Sequence, residues 1–437
     1  MLSGSPSSLQ AALNIVSHFG RRYRVNFNAD KTKLVVTGSL IDMQYFMDTS
    51  PWTLNGERVS VVENNEHLGL VVSGTSEEQK NVDNNIQDCR KSLFGLLGPA
   101  FAFNCQLSPA VQLHLWRTYN LPILLSGLSA LPIRPVHFKS LTIFHNKTLR
   151  GFLKLSSHSP IPGLHFLLGE LPIEAKLHLD ILSLFYSIWA NPHTTVHKVV
   201  AYILKMTDDS STTWTSHLRI ICKKYNLPDP LHLIEREALW CKERWKTLTK
   251  TLVTAHHERE LRRKAASNSK MTYLNVQVAG LSGHPHPALQ NIHTTQDVKK
   301  LRFHTKFLCG DFLTGERLGL DQGTNPQCRL CLAPIENTEH ILVKCRSLHD
   351  VRERLLPELL NTVAAIDPAC QILINQTTPH LTQFLLDCTS LNLPNSYRLS
   401  PQIPGTNQIF SIARDWCFAL TNERRRQLTA ILELDKL

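Results

Sequence analysis

Three cysteines and one histidine lie close together in residues 328–345, with the spacing Cys328-x2-Cys331-x8-His340-x4-Cys345. Thiolates and imidazoles are ligands that Zn²⁺ prefers, at about 2.3 Å and about 2.0 Å, and four of them complete a tetrahedral shell. Because this set leaves no coordination position open for water, the pattern predicts a structural zinc ion rather than a catalytic one. Zinc binds deprotonated thiols, so we expect metal binding to be coupled to local folding.

The alternative is that these cysteines are ordinary buried residues, as we expect for Cys89, Cys222 and Cys388. Four ligand-type residues at this spacing favour the zinc site over that alternative. A disulfide framework is not expected, because the N-terminal residues do not have the pattern of a secretory signal.

The metal ligands require a tight turn followed by a short helix. A Cys-x-x-Cys pair fits a turn that points both sulfur atoms at one position, and Pro334 and Asn337 fit a connecting loop. The segment from Thr338 to Cys345 predicts the start of a short helix, with Thr338 as its N-cap.

The composition indicates a multidomain chain with an anionic partner. A length of 437 residues suggests two to four domains, and the net charge of +11 favours RNA or DNA as partners. A mildly basic surface without such a ligand is the alternative. No apolar segment reaches the ~18 residues of a membrane span, so we expect no membrane association. We expect the nucleus or cytoplasm, where free thiols and zinc sites persist.

The N-terminal part of the chain has the pattern of a small α/β unit. Apolar residues at helical spacing predict a helix that Ser7 or Ser8 caps and that Gly20 ends. Residues 24–37 predict a strand, a turn and a second strand. Asn55-Gly56 predicts a two-residue hairpin turn.

Helical periodicity replaces this pattern from residue 76 onward. The sequence therefore predicts a mainly α fold class with a small α/β part at the N-terminus. A long amphipathic helix over residues 233–266 and a basic helix over residues 295–312 are expected before the zinc ligands. The predicted domain ranges are 1–75, 76–190, 191–295, 296–350 and 351–437.

These two basic helices are candidate nucleic-acid contacts, because lysine and arginine bind phosphates. We expect Trp240 and Trp245 in the core, since residues five apart need not share a helix face. For Arg424–Arg426, a tail contact and a solvated helix end are equally favoured. The candidate contacts are Lys242, Arg244, Lys246, Arg262, Arg263, Lys264, Lys299, Lys300, Arg302 and Lys306.

The stretch SLQAALNIVSHFGRRYRVNFNADKTKLVVTGS, followed by NEHLGLVVSG, resembles the reverse transcriptases of non-LTR (LINE-type) retrotransposons. In that family a helix opening with Leu-Gln precedes a strand with an Asn-x-x-Lys motif, which corresponds here to Asn28–Lys31. A Tyr-Leu-Gly hairpin that holds the primer end corresponds to His67-Leu68-Gly69, with histidine for tyrosine. FHNKTLRGFLKL, LPIEAKLHLD and the zinc segment resemble the connector and the C-terminal Cys-Cys-His-Cys module of such elements.

The resemblance implies a function for each predicted range. Residues 1–75 correspond to a partial palm, 76–190 to a helical thumb and connector, and 191–295 to a helical linker with the first basic helix. Residues 296–350 correspond to the second basic helix with the zinc module, and 351–437 to a helical tail. The implied partners are RNA or DNA, with Lys31 as a further contact and His67, Leu68 and Gly69 as a primer-grip-like hairpin.

The polymerase of that family needs a paired-metal site held by carboxylates. Those aspartates would precede the helix that begins near Leu9, and neither Asp30 nor Asp42 matches them. We therefore expect a truncated reverse transcriptase fragment that has no catalytic residues and does not polymerise on its own. The alternatives are part of a longer active RNA-directed DNA polymerase, or a decayed element that serves as a protein-interaction scaffold.

Other enzyme patterns are weaker. His256-His257-Glu-Arg-Glu lacks the second histidine of a His-Glu-x-x-His zinc protease at the right spacing, and Asp180 and Glu170 have no evident partner. We expect solvated helix charges in these cases, and no small-molecule substrate.

Overall fold

The structure, a computed structural model, describes residues 4–37, 40–49, 52–102, 107–208, 211–235, 239–277, 280–281, 283–366, 378–390 and 406–434. Helices make up most of this part of the chain, and the strands are short and confined to the N-terminal part. The predicted fold class, mainly α with a small α/β part, is confirmed.

The N-terminal part alternates helices and strands. Its elements are α1 Pro6–Tyr23, β1 Lys33–Val35, α2 Leu40–Thr49, β2 Thr53–Leu54, β3 Glu57–Arg58, β4 Ser60–Val62, β5 Asn64–His67 and β6 Leu70–Ser73.

Helices follow through the rest of the chain. They are α3 Glu77–Ala102, α4 Pro109–Leu115, α5 Leu121–Leu125, α6 Pro135–Leu153, α7 Ile161–Leu168, α8 Ile173–Trp189, α9 Thr195–Met206, α10 Trp214–Lys224, α11 Pro230–Glu235, α12 Lys242–Ala266, α13 Thr295–Leu308, α14 Gly315–Gln322, α15 His349–Ile366, α16 Thr378–Leu386 and α17 Thr406–Leu434. Single π-helical turns span Trp116–Asn120 and His340–Lys344, and short 3₁₀ turns span Leu128–Ala130, Ser269–Met271, Pro287–Leu289, Arg346–Leu348 and Cys388–Ser390.

The strands form three two-stranded sheets. β1 pairs with β4 in parallel, while β2–β3 and β5–β6 are antiparallel hairpins. Asn55 and Gly56 both have positive φ between β2 and β3, so the predicted hairpin turn is confirmed. A small apolar cluster that includes Leu13, Trp52 and Val59 packs α1 against these strands.

The first helix differs from the prediction at both ends. Ser5, rather than Ser7 or Ser8, is the N-cap and accepts a hydrogen bond from the Ser8 N–H. The helix continues past Gly20, and the Val25 N–H donates to the Gly20 carbonyl at 2.9 Å. A Cβ at Gly20 would lie 2.6 Å from the Val25 carbonyl oxygen, so the glycine permits this close approach. The predicted strand after the helix does not form, because the chain folds back against the helix end instead.

The largest core is built by helices from α3 to α17. Within it, α12 packs on α8 and α7 through residues four apart, which include Trp245, Val253 and Leu261. The predicted long helix begins later than expected. Cys241 has extended backbone angles, and Pro230–Glu235 forms the separate helix α11.

Helix α17 holds the C-terminal part together. It lies along α13 and α15 and also contacts the π turn at His340–Lys344. The Trp416 Nε1 atom, fully buried, donates to the Leu342 carbonyl at 3.0 Å. The segment with the predicted metal ligands is therefore fixed against the same helix that packs on the basic helix α13.

Candidate metal centre and nucleic-acid interface

The structure brings the predicted metal ligands together. One ligand atom each from Cys328, Cys331, His340 and Cys345 lies within 4.8 Å of the other three. Among the residues that the structure describes, this is the group of three or more cysteine, histidine or acidic side chains close enough to hold a metal ion. A tetrahedral Zn²⁺ would place its ligand atoms roughly 3.8 Å apart, which agrees with this spacing.

The backbone around the first two cysteines forms the predicted turn. The Leu332 N–H donates to the Cys328 carbonyl, and the Cys328 N–H donates to the Ala333 carbonyl, both at 2.9 Å. Leu332 closes the turn with a φ of 59°. These bonds direct the sulfur atoms of Cys328 and Cys331 to the same side.

The second pair of ligands comes from the π turn that follows. Residues 338–339 are helical and lead into this turn, and Asn337, not the predicted Thr338, caps them: its Oδ1 accepts from the His340 N–H at 2.8 Å. The asparagine lies one residue earlier and reaches the free N–H groups of the first turn. The Cys345 N–H then donates to the His340 carbonyl at 2.7 Å, which places both ligands on one side of the turn.

The electrostatics of the cluster favour a thiolate. A hydrogen bond from Cys345 lowers the pKa of the Cys328 thiol, and the same contact raises the pKa of Cys345. The Cys331 Sγ lies 3.4 Å from the His340 Nε2. Three thiols and an imidazole, nearly all buried, form a soft donor set that fits Zn²⁺.

A buried arginine, which no sequence pattern indicated, lies beside the cluster. Arg352 is 8% exposed, and one of its Nη atoms donates to the Cys345 carbonyl. Burial lowers the pKa of Arg352, while Cys345 and other nearby acidic groups oppose that change. Its positive charge would balance the net negative charge of a zinc ion held by three thiolates.

The loop of the metal cluster is tied to the C-terminal helix. Glu336, 3% exposed, accepts from two nitrogens of Arg424 at 2.9 and 2.7 Å and from the Gly315 N–H at 2.8 Å. This bidentate pair joins the loop before His340 to α17. The sequence left Arg424 between a tail contact and a solvated helix end, and the structure shows an ion pair in the protein interior.

The cations of α12 do not form one cluster. Arg244 covers the ring of Trp240 at 4.5 Å, Arg262 pairs with Glu258 at 3.3 Å, and Arg263 pairs with Glu260 at 2.9 Å. Lys242, Lys246 and Lys264 lie exposed along the helix. The prediction that the tryptophans are core residues is confirmed, since Trp245 is 2% exposed and Trp240 packs against it.

The cations of α13 are arranged differently. Lys299, Arg302 and Lys306 follow one another at helical spacing and line one groove. Lys300 points away from them and pairs with Asp415 of α17 at 2.5 Å. The structure therefore brings together three of the predicted nucleic-acid contacts and assigns the fourth to an ion pair.

The remaining predicted residues lie in the N-terminal part. Lys31 is exposed in the turn after α1. His67, Leu68 and Gly69 form the exposed tip of the β5–β6 hairpin, with positive φ at Leu68 and Gly69. Asn81 of α3 holds this hairpin, because its amide bonds both the N–H and the carbonyl of Val71 at 2.8 Å.

Comparison with known proteins gives no family for this chain: no protein-family model matches it, and no curated protein matches it. Within the described residues, no helix is long and apolar enough to cross a membrane. The metal cluster and the basic face of α13 are thus the two features from which a function is inferred.

Proposed function

We propose that this protein binds nucleic acid through a C-terminal unit that a structural zinc ion stabilises. The observation that carries the proposal is the arrangement of Lys299, Arg302 and Lys306 on one face of α13, in the helical unit that also holds the metal cluster. Cations that lie together without acidic partners attract polyanions, and phosphates are the most abundant biological ones.

The zinc ion has a structural role in this proposal. Cys328, Cys331, His340 and Cys345 would hold it, and it would supply folding free energy rather than a reactive water. The loop between the ligands Cys331 and His340 carries Glu336, which pairs with Arg424 of α17, and α17 packs on α13. We place the protein in the nucleus or cytoplasm, since zinc–thiolate bonding needs reduced cysteines.

We further propose a relationship to non-LTR retrotransposon reverse transcriptases, with RNA or DNA as the partner. The order of a small α/β unit, a helical body and a Cys-Cys-His-Cys cluster supports this relationship. So does the tight hairpin at His67-Leu68-Gly69, where that family has a primer-holding hairpin. Binding, and not phosphoryl transfer, is the activity proposed for this chain.

The test is binding of zinc-loaded protein to mixed-sequence oligonucleotides, followed by fluorescence anisotropy. We expect binding at about 50 mM salt that weakens at least tenfold by about 200 mM, because each phosphate contact releases counterions. Absence of salt-dependent binding to both single-stranded and double-stranded nucleic acid would refute the proposal.

A further inference from the structure

A groove lies where α13, α17 and the C-terminal end of α6 meet, and its volume is about 370 Å³. Three elements that are distant in the sequence supply its cations: Lys154 follows α6, Lys299 and Lys306 belong to α13, and Arg425 belongs to α17. Arg302 completes the set, and no lining residue is acidic. We call this site the basic groove.

In the described ranges of the chain, the cations just outside the basic groove form salt bridges, whereas four of the cations inside it do not. Just outside it, Lys300 pairs with Asp415 at 2.5 Å and Arg426 pairs with Glu423 at 2.6 Å. Within the part of the chain that the structure describes, no salt bridge joins Lys299, Arg302, Lys306 or Arg425 to an acidic group. The fold thus neutralises the adjacent cations and leaves Lys299, Arg302, Lys306 and Arg425 without a salt bridge among the described residues.

Such an arrangement is unfavourable in the free protein. Burial, and then the nearby charge of Arg302, lower the pKa of Lys154. Arg302 itself is partly buried, and its Nε has no hydrogen-bond partner among the described residues. A bound phosphate would relieve the repulsion and complete the missing hydrogen bond.

The basic groove also contains two aromatic rings. Phe303 of α13 and Phe418 of α17 line it, with ring centroids 5.7 Å apart and planes at 60°. Both side chains are half-buried, and Phe303 also packs against the hydrophobic core. Aromatic faces between cations form the combination on which the bases of a single strand stack, whereas a duplex hides its base faces.

We propose that the basic groove is a binding site for single-stranded nucleic acid, with phosphates on Lys299, Arg302 and Lys306 and a base against Phe303 or Phe418. This inference rests on the proposed function. It specifies where on the protein the nucleic acid binds and that the nucleic acid is single-stranded. Stacking and phosphate contacts recognise the backbone and the base face, so both single-stranded DNA and single-stranded RNA have the required chemistry.

A second groove continues from the first and extends the path of the strand. It has a volume of about 670 Å³ and shares Lys154, Phe303, Lys306 and Arg425 with the basic groove. Its far side reaches Arg317 and Arg424, which pair with Asp321 and Glu336 close to the loop of the metal cluster. A strand longer than the basic groove would therefore run toward the metal centre.

The test compares three variants of the zinc-loaded protein with wild type by fluorescence anisotropy. The first is the double variant Lys299→Gln/Lys306→Gln, which removes two charges and keeps the side-chain stems. The second is Phe418→Leu, which removes the ring. The control is Lys139→Gln/Lys198→Gln, which removes two exposed charges from α6 and α9. The probes are oligo(dT), oligo(rU) and a mixed-sequence DNA duplex, and circular dichroism checks that each variant folds.

We expect wild type to bind a single strand more tightly than the duplex. The groove double variant should lose at least about tenfold in affinity, and its salt slope should fall by about 1.4, or ~0.7 per lost phosphate contact. Phe418→Leu should lose about fivefold or more with its salt slope unchanged. The control should bind as wild type does, and the tighter of the two single strands identifies the sugar that is preferred.

Other results would overturn the inference. If wild type binds but the groove variants match it, the site is wrong and the proposed function stands. If the duplex binds more tightly than both single strands, the proposed form of nucleic acid is wrong. If wild type binds none of the probes, the proposed function itself fails.

Discussion

Cys331 and the other metal ligands were predictable because their spacing is local. A Cys-x-x-Cys turn and a histidine and cysteine on the next turn need few residues between them, so the sequence alone placed all four. Arg352 and Glu336 were not predictable in this way. Their roles depend on burial and on Arg424, which lies in a helix far along the chain.

Replacing Cys331 by serine should remove the metal. A hydroxyl is a much weaker zinc ligand than a thiolate, and three ligands do not close the shell. We expect a loss of one zinc equivalent per chain, measured by metal analysis after dialysis. The control is Cys241→Ser, because Cys241 is exposed and outside the cluster. Full zinc content in the Cys331 variant would contradict the assignment of the ligands.

Arg352→Met should weaken zinc binding while leaving all four ligands in place. Loss of the buried positive charge leaves the anionic zinc–thiolate group without its nearest counter-charge, and we expect about tenfold lower affinity. Competition with a chromogenic chelator measures the zinc affinity. Arg354→Met on the exposed side of α15 is the matched control. Equal zinc affinity in both variants would show that Arg352 serves only to hold the Cys345 carbonyl.

The prediction that Glu170 is a solvated helix charge without a partner is wrong. It is fully buried, accepts a hydrogen bond from Arg117 at 2.6 Å and forms an ion pair with Lys176 at 2.7 Å. Glu170→Gln should destabilise the fold by about 3 kcal/mol, since it leaves buried cations without their partner. Urea denaturation provides the measurement, with Glu174→Gln as the control. The ion pair of Glu174 with Lys224 is partly exposed, so its loss should cost about 1 kcal/mol or less.

At the scale of elements, helices with a clear apolar face were predicted well and their boundaries less well. α13 begins at the expected residue 295, because Thr294 and Asp297 form a capping box at its start. The break before α12 was missed, since the sequence 233–241 keeps helical periodicity while tertiary packing turns the chain at Cys241. The strand expected after α1 does not form for the same reason, because the contact between Val25 and Gly20 overrides the local preference for extended backbone.

Helix α13 depends on its N-cap. Thr294 accepts from the Asp297 N–H at 3.1 Å, and Asp297 accepts in return from the Thr294 N–H at 2.9 Å. Thr294→Ala should lower the free energy of unfolding by about 1 kcal/mol. Thr295→Ala, one residue later and exposed, should have a much smaller effect in the same urea titration. Equal effects of the two changes would argue against the cap.

At the scale of the whole molecule, the N-terminal unit should be the least stable region. Its own apolar cluster has few buried side chains, and its strands have two to four residues. We expect amides of residues 4–73 to exchange with deuterium much sooner than those of α8 and α17. Hydrogen exchange followed by mass spectrometry measures this. Comparable protection in the two regions would contradict the expectation.

Buried histidines should make the whole fold sensitive to acid. Burial lowers the pKa of His165 and of His304 to about 4, below the usual 6.5. The unfolded chain takes up protons as the pH falls through 6.5, while the folded protein does not until about pH 4. Stability is therefore full above pH 6.5 and falls below it, by ~1.4 kcal/mol per pH unit for each such histidine.

Urea midpoints between pH 7 and pH 4.5 test this dependence at constant zinc. His304→Asn should reduce the slope of the free energy of unfolding against pH by about the contribution of one proton. His158→Asn should leave the slope unchanged, because His158 is exposed. The prediction fails if His304→Asn retains the slope of wild type.

The central claim is that the metal centre holds α13 and α17 in the arrangement that binds nucleic acid. Trp416 and Arg424 of α17 both bond to the metal segment, so loss of the ion should disturb the basic groove. The most direct measurement is the affinity for a single-stranded oligonucleotide at low salt, before and after chelation of zinc. We expect at least about tenfold weaker binding without zinc, and recovery of the affinity when one equivalent is returned. Equal affinity with and without the ion would contradict it.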